Sequence, residues 1–299
     1  MASRHPIARG LIILCVLVVC FFAASVLLTI GTEGRLESLT SLGERVGVVE
    51  VRGVIADSDE IVDALKDFER TSSIKAVVVR IESPGGGVAP SQEIYQAIRK
   101  LREAKPVIAS LGGVAASGGY YIASACDAVV ANPGTITGSI GVIIELGNVE
   151  GLLQKLGIQA EILKAGTYKD MGSPVRPLTR EERRLFQDMI DSVHAQFVGA
   201  VAEGRGMDLR KVRELADGRI FSGEQAQAVG LVDALGGLQD AVAMAADRGG
   251  MVGEPRVSRA STGRPPWWWR MLFDMTPAGL LPTRPVLGLQ LVYGGSFLR

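Results

Sequence analysis

The segment "IKAVVVRIESPGGG", residues 74–87, decides the fold class of this chain. Its mostly apolar first half is typical of a strand that is buried on both faces of a parallel sheet. A glycine turn follows, and then "SQEIYQAIRKLREA" (91–104) carries apolar residues at helical spacing. The next segment, "PVIASLG" (106–112), again has the composition of a strand. A strand, a helix and another strand in this order indicate a parallel α/β unit.

The same alternation extends in both directions along the chain. Further strands are predicted at 46–55, 127–133, 135–144 and 159–166. Further helices are predicted at 58–70, from the turn before Tyr120 to Ala125, and at 149–157, 179–205, 208–217, 222–230 and 237–248. The longest of these opens with the capping box "TREE". Ligands of parallel sheets bind beyond the carboxyl ends of the strands. Two glycine-rich turns, 85–87 and 112–119, follow strands and are therefore expected at that edge.

The N-terminal segment "LIILCVLVVCFFAASVLLTI" (11–30) contains no charged residue and is long enough to cross a bilayer as a helix. Arg4 and Arg9 precede it, which favours a cytoplasmic N-terminus and an extracytoplasmic remainder. A cleaved signal peptide is the alternative, but the run is longer than usual and no A-x-A site follows it. The predicted organisation is a cytoplasmic N-terminus (1–10), a transmembrane signal anchor (11–30), a linker (31–44), an α/β domain (45–248) and a C-terminal tail (249–299).

The tail is rich in Pro, Arg and Gly and contains "PPWWWRMLF" (265–273). Two interpretations remain open, a disordered segment and an anchor at the membrane interface, where Trp and Arg are favoured.

Composition and motif content exclude several kinds of site. Acidic and basic residues balance at 32 each, so no nucleic-acid partner is expected. The three cysteines form no CxxC pair and the two histidines no HExxH motif, so neither disulfides nor a metal site are expected. The glycine turn matches no phosphate-binding motif, and we expect no cofactor. A Ser-His-Asp triad is disfavoured, because His5 precedes the apolar segment and His194 lies within a long helix.

A serine nucleophile with a lysine base remains possible. In "GGVAASGGYYIASACD" (112–127), Ser117 stands among small residues directly before a helix-forming run. A lysine can act as base when burial lowers its pKa toward neutrality, whereas arginine stays protonated. Most lysines occupy polar helix faces or ends; Lys164 and Lys169, both in "KAGTYKDMGSP" (164–174), are the candidates that remain. Backbone N–H groups of glycine turns could bind an oxyanion.

Six motifs in order, over roughly residues 45–245, resemble one family: "SPGGGV", "AASGGYYIA", "TGSIGV", "KAGTYKDMGSP", "GRGM" and "ADGRIFSGEQAQAVGLVD". The chain is similar to the short form of signal peptide peptidase A, or protease IV, a family of membrane-anchored serine peptidases. The resemblance implies a Clp-protease/crotonase-like fold and a Ser/Lys dyad of Ser117 and Lys169. It further implies Gly86 and Gly118 as oxyanion donors, and Ser139 as the residue that hydrogen-bonds and orients the lysine.

The resemblance also implies substrates, assembly and location. The expected substrates are cleaved signal peptides and other membrane-associated peptides. The expected assembly is a homo-oligomer in which neighbouring protomers complete each dyad, in contact with the lipid bilayer. The expected location is the cell (inner or plasma) membrane, spanned once, with the catalytic domain outside the cytoplasm. The C-terminal tail is a candidate self-ligand or processing site in the peptidase groove.

Two other functions remain as alternatives. A non-catalytic membrane scaffold of the same fold would show no reactivity at Ser117. A crotonase-type acyl-CoA enzyme would need a carboxylate near the glycine turns, and Glu82 precedes "SPGGG".

Overall fold

The computed structural model describes residues 43–260 and 290–292 of the chain. The chain divides into two units, residues 1–43 and 44–299, and every helix and strand described below belongs to the second. The predicted cytoplasmic segment, the anchor, nearly all of the linker, and the tail residues 261–289 and 293–299 lie outside the described residues. None of the helices within the described ranges combines the length and the apolar character that crossing a bilayer requires.

A twisted, largely parallel sheet of eight strands forms the centre of the domain. The strands run in the order β7-β6-β4-β2-β1-β9, and β5 pairs with both β4 and β8. All pairs in this sheet are parallel except β6 with β7. A separate antiparallel pair joins β3 to β10. The strand bounds are β1 Arg45–Arg52, β2 Ile74–Ser83, β3 Gly85–Gly87, β4 Val107–Ala116, β5 Ala128–Ala131, β6 Ile136–Gly138, β7 Ile220–Ser222, β8 Ala234–Leu235, β9 Arg256–Arg259 and β10 Gln290–Val292.

Eight helices are described around the sheet. Their bounds are α1 Asp59–Arg70, α2 Val88–Arg102, α3 Gly118–Ser124, α4 Glu150–Lys155, α5 Arg180–Arg205, α6 Leu209–Leu215, α7 Gly223–Val229 and α8 Leu238–Arg248. Each central strand has apolar side chains on both faces, as the continuous apolar runs predict. One face packs with residues of α1, α2, α3 and α5 in the larger core, and the other face packs against α8. The mixed α/β fold with a parallel sheet and flanking helices is therefore confirmed.

Helix α5 begins where its capping box predicts. The Thr179 side chain accepts from the Glu182 N–H at 3.1 Å, and the Glu182 carboxylate accepts from the Thr179 N–H at 2.9 Å. The helix ends at Gly206, whose left-handed φ of 60° suits a residue without a Cβ.

Three segments differ from the sequence-based expectation. Of residues 135–144, expected to form a strand, Ile136–Gly138 do so. Residues 159–166, expected to form a strand, have no strand partner within the described part of the chain. Strand β4 is longer than expected, because it continues through the glycines to Ala116. It does so with a register shift, since Ile81 pairs with Leu111 but Ser83 pairs with Ala115. Such a bulge bends the strand, and here it lies just before Ser117.

The segment between β6 and α5, residues 143–178, is termed the arm. It contains the short helix α4 and a series of turns. Nine of the sixteen large hydrophobic residues that the described chain exposes lie in it: Ile143, Leu146, Val149, Leu152, Leu156, Ile158, Ile162, Leu163 and Tyr168. Exposed apolar side chains concentrated in this way are typical of interaction surfaces.

Candidate active site

Ser117 occupies a sharp turn between β4 and α3. Its φ of 54° and ψ of −116° lie in a region that non-glycine residues rarely adopt. The backbone is fixed on both sides, because its N–H donates to Gly138 O and its carbonyl accepts from the Tyr121 N–H, each at 2.8 Å. The residue is 1% exposed. A strained, doubly anchored serine at the start of a helix is an arrangement found at functional sites.

The small residues around Ser117 allow α3 to approach β3 closely. A Cβ on Gly118 would lie 2.7 Å from Ser91 Oγ and 3.2 Å from the Gly86 nitrogen. A Cβ on Gly119 would lie 3.0 Å from Ser83 O. The glycines are therefore needed for packing, and the close packing is what places the two glycine turns beside the serine.

Gly86 and Gly118, the predicted oxyanion donors, lie next to each other where α3 packs against β3. Gly86 lies in β3, which is held by a bridge to Ile55, and a Cβ on Gly86 would stand 2.2 Å from Ile55 O. Gly118 is the first residue of α3, so its N–H has no acceptor within the helix. Two glycine amides beside a serine hydroxyl have the composition of an oxyanion hole.

Ser139 is the second strained serine. Among the described residues, Ser117 and Ser139 are the two non-glycine positions with positive φ, and Ser139 has a φ of 50°. Ser139 N–H donates to Arg219 O at 2.8 Å. The carbonyl of its neighbour Gly138 accepts from the Ser117 N–H, and the two serines directly follow the paired strands β4 and β6. Reasoning from the residues alone assigned Ser139 no role, because nothing in "TGSIGV" reveals backbone strain at a serine.

A cavity of about 560 Å³ opens beside Ser139. His194, which the sequence suggested to be structural, borders it, and the His194 Nε2 is buried without a hydrogen-bond partner in the described chain. The remaining lining residues are Gly141, Val142, Ile143, Gln187, Ile190, Asp191, Ala216, Asp217 and Gly218.

Lys169 lies on the arm and is exposed. Within the described residues no hydrogen bond or ion pair involves its side chain, and none joins it to Ser117 or Ser139. Lys164, the other candidate base, donates to the Asp170 carboxylate and, at 3.0 Å, to Thr167 O. The geometry thus commits Lys164 to an ion pair, whereas no described group pairs with the Lys169 side chain.

Other candidate groups are engaged elsewhere. Tyr120 donates its hydroxyl to Leu231 O at 2.8 Å in the core. Cys126 is 0% exposed, and burial raises the pKa of its thiol, which disfavours the thiolate that a thiol enzyme needs. The Glu82 carboxylate accepts from the Gly113 N–H at 2.9 Å and from the Val114 N–H at 3.3 Å. It thereby fills the bulge of β4, so its oxygens are engaged with the backbone.

An extended segment of the chain itself lies along the glycine strand. β10 pairs antiparallel with β3, with Leu291 opposite Gly86 and Val292 opposite Gly85. The edge of β3 therefore accepts a peptide backbone next to the proposed oxyanion site, by strand addition.

Comparison with known proteins decides among the alternatives. The sequence profile of peptidase family S49 matches residues 99–251, and that of the Clp proteases matches residues 45–137. The chain belongs to peptidase family S49. It is 47% identical over 214 residues to a putative protease of Synechocystis, covering 71% of this chain and 77% of that protein. It is 40% identical over 225 residues to a putative signal peptide peptidase SppA of Enterococcus faecium, covering 71% of this chain and 65% of that protein.

A third relative, the chloroplastic serine protease SPPA of Arabidopsis thaliana, is 33% identical over 244 residues, which are 79% of this chain and 36% of that protein. The resemblance to the signal peptide peptidase A family is therefore confirmed, as is the Clp-protease-like domain. The chain is a serine peptidase, and peptides are its substrate class. These results weigh against the acyl-CoA and scaffold alternatives.

Proposed function

We propose that this chain is a membrane-anchored endopeptidase in which Ser117 is the nucleophile and Lys169 of a neighbouring copy is the general base. One observation carries the proposal. The strained Ser117 is fixed at the N-terminus of α3, and the backbone of Gly86 packs against Gly118 beside it. A nucleophile next to two backbone donors is the minimum that acyl transfer requires.

The proposed reaction proceeds through an acyl-enzyme. The neutral amine of Lys169 takes the proton of Ser117 Oγ, which attacks the scissile carbonyl carbon. The N–H groups of Gly86 and Gly118 stabilise the negative oxygen of the tetrahedral intermediate. The ammonium of Lys169 then protonates the departing amine as the C–N bond breaks. The same amine then takes a proton from water, whose oxygen attacks the acyl carbon; the C–Oγ bond breaks and the ammonium returns the proton to Ser117 Oγ. Ser139 would accept a hydrogen bond from the lysine and orient it.

The assignment of Lys169 to a neighbouring copy rests on its position. Ser117 is buried, whereas Lys169 is exposed on the arm, whose apolar side chains are also exposed. Packing the arm on a second copy would bury those side chains and desolvate the lysine, which favours the neutral amine. A homo-oligomer with shared sites satisfies both requirements.

The proposed substrates are cleaved signal peptides and other membrane-associated peptides. Such peptides would bind extended along β3, in the way that β10 pairs with it. The apolar run 11–30 would anchor the catalytic domain at the extracytoplasmic surface of the cell membrane, close to these peptides.

Covalent labelling of the full-length chain in detergent with a fluorophosphonate tests the dyad. Ser117→Ala and Lys169→Ala should each abolish labelling, and Lys66→Ala, a lysine on α1, is the matched control. Coexpressing the two inactive variants with different tags should restore labelling, because some mixed sites combine a native serine with a native lysine. Labelling that persists in Ser117→Ala would refute the nucleophile. Mixed oligomers without labelling would refute the shared site.

A further inference from the structure

Asp170, the residue after Lys169, is held by two cations. Its carboxylate accepts from Lys164 Nζ and, at 2.7 Å, from Arg176 Nε. Its backbone carbonyl also accepts from Arg176 Nη2 at 3.2 Å. The Asp170 side chain is only 10% exposed although Lys169 beside it is exposed. One guanidinium thus holds both the side chain and the backbone carbonyl of the residue that follows the proposed base.

Arg176 also ties this part of the arm to α5. Its Nη1 donates to Glu182 Oε2 at 2.9 Å and its Nη2 donates to Glu182 Oε1 at 2.5 Å, a bidentate pair. Glu182 completes the capping box of the helix with Thr179, and its side chain is 3% exposed. The proposed base is therefore connected through Asp170 and Arg176 to the first turn of the longest helix.

The cluster of Lys164, Asp170, Arg176 and Glu182 contains two positive and two negative groups. The hydrogen bond from Arg176, followed by that from Lys164, lowers the pKa of the Asp170 carboxyl well below its usual range. The hydrogen bond from Arg176 likewise lowers the pKa of Glu182 to about 2. Both carboxylates are therefore charged at working pH, and each is compensated by a cation.

We propose that Arg176 and Asp170 are positioning residues for the general base. Arg176 fixes the backbone at Lys169 and, together with Lys164, neutralises the adjacent carboxylate. This inference rests on the proposed role of Lys169. An uncompensated carboxylate next to Lys169 would favour the ammonium form, which cannot accept the proton of Ser117. Because Arg176 and Lys164 neutralise this carboxylate, it does not stabilise the ammonium form of Lys169, and the same contacts hold the loop in place.

The proposal predicts shifts of opposite sign from two single substitutions. Arg176→Met removes one positive charge, so the labelling rate should reach its midpoint at a higher pH. Asp170→Asn removes one negative charge, so the midpoint should move to a lower pH. Removing one unit charge near a partly solvated lysine shifts the midpoint of its titration by about half to one pH unit. The double variant restores the balance of charges and should return the midpoint toward that of the wild type.

Other charged and titratable groups lie on the arm and on α5, the two elements that the cluster joins. Tyr168 precedes it on the arm, and Glu181, Arg183 and Arg184 stand on the first turns of α5. They are common to all variants and cancel in the comparison.

The experiment measures fluorophosphonate labelling rates of the full-length chain between pH 6 and 10, with the oligomeric state checked by size-exclusion chromatography. Arg210→Met is the matched control, since Arg210 forms an exposed pair with Asp208 at 3.6 Å, and its midpoint should equal that of the wild type. Equal midpoints in Asp170→Asn and the wild type would overturn the proposal, as would shifts of the same sign in both variants. If Arg176→Met fails to assemble, Asp170→Asn, which preserves the shape of the side chain, decides.

The proposed function has a separate readout. Undiminished labelling of Lys169→Ala would show that Lys169 is not the base, and the cluster would then have no base to position. Loss of labelling in Lys169→Ala together with unshifted midpoints in the cluster variants would refute the positioning role of Arg176 and Asp170 and leave Lys169 as the base.

Discussion

The same substitution at two positions of α5 should change stability in opposite directions. Gly199 and Gly204 both lie inside this helix, where alanine is favoured over glycine by about 1 kcal/mol. A Cβ on Gly199 would meet no atom of the described residues within 4 Å. A Cβ on Gly204 would stand 1.9 Å from the backbone oxygen of Ser124, the last residue of α3. The two helices pack directly at Gly204, whereas the described residues leave room for a Cβ at Gly199.

The magnitudes follow from these distances. Ordinary van der Waals contact begins at 3.4 Å, so Gly204→Ala requires α5 and α3 to separate by roughly 1.5 Å. Forcing extra volume into a packed core costs about 1–3 kcal/mol, which exceeds the gain in helix propensity. Gly199→Ala receives that gain without the cost. For a domain of about 200 residues, each kcal/mol moves the melting temperature by about 2–4 °C.

The assay is thermal unfolding of the full-length chain at one protein concentration, because assembly makes the melting temperature depend on concentration. Gly199→Ala should melt about 2–4 °C higher than the wild type, and Gly204→Ala should melt lower. Because Ser117 directly precedes α3, displacement of this helix should also slow labelling of Ser117 about tenfold or more in Gly204→Ala alone. Equal stabilisation by both substitutions would refute the close contact between α5 and α3.

Three further predictions concern other parts of the domain. Gly86→Ala should abolish labelling, because its Cβ would stand 2.2 Å from Ile55 O, whereas Gly134→Ala, with no atom within 4 Å, should retain it. Glu182→Gln should lower the melting temperature most above pH 4.5. The difference in melting temperature between wild type and variant should shrink as the pH falls to about 2, because Glu182 is then protonated and its ion pair is lost. A difference that does not change with pH would contradict the ion pair. Cys126 should resist alkylation at pH 8 until the chain unfolds, as peptide mass spectrometry would reveal, because burial raises the pKa of its thiol; rapid native alkylation would contradict that burial.

The sequence predicted the parts of the fold that depend on local pattern. The apolar runs of β1 and β2 and the capping box of α5 have their causes in neighbouring residues, so their positions matched closely. The segment 159–166 has the composition of a strand, but a strand also needs a partner, and pairing depends on residues far along the chain. For the same reason the three-residue β3 and the edge strand β9 were not foreseen.

The candidate site shows the same division. Ser117 could be found from the small residues around it and from the absence of a usable histidine. Its proximity to Gly86 arises from β2 and β4 lying side by side, which only the fold reveals. The cluster around Asp170 was also missed, because its cation Arg176 is six residues away through an irregular loop. The roles of Ser117, Lys169, Gly86, Gly118 and Ser139 stay predictions until labelling tests them.

Strand β3, which pairs with β10, consists of three glycines, Gly85–Gly87. It has no side chains, so it can present only amide and carbonyl groups to a ligand. Such a strand does not select for the sequence of the ligand. It requires only an extended ligand whose backbone can form hydrogen bonds with β3, and proline lacks the N–H that such pairing uses. The proposed breakdown of many unrelated peptides requires this breadth. Any preference among residues must then come from the walls opposite the glycine strand, and those walls are where changes of specificity should be sought.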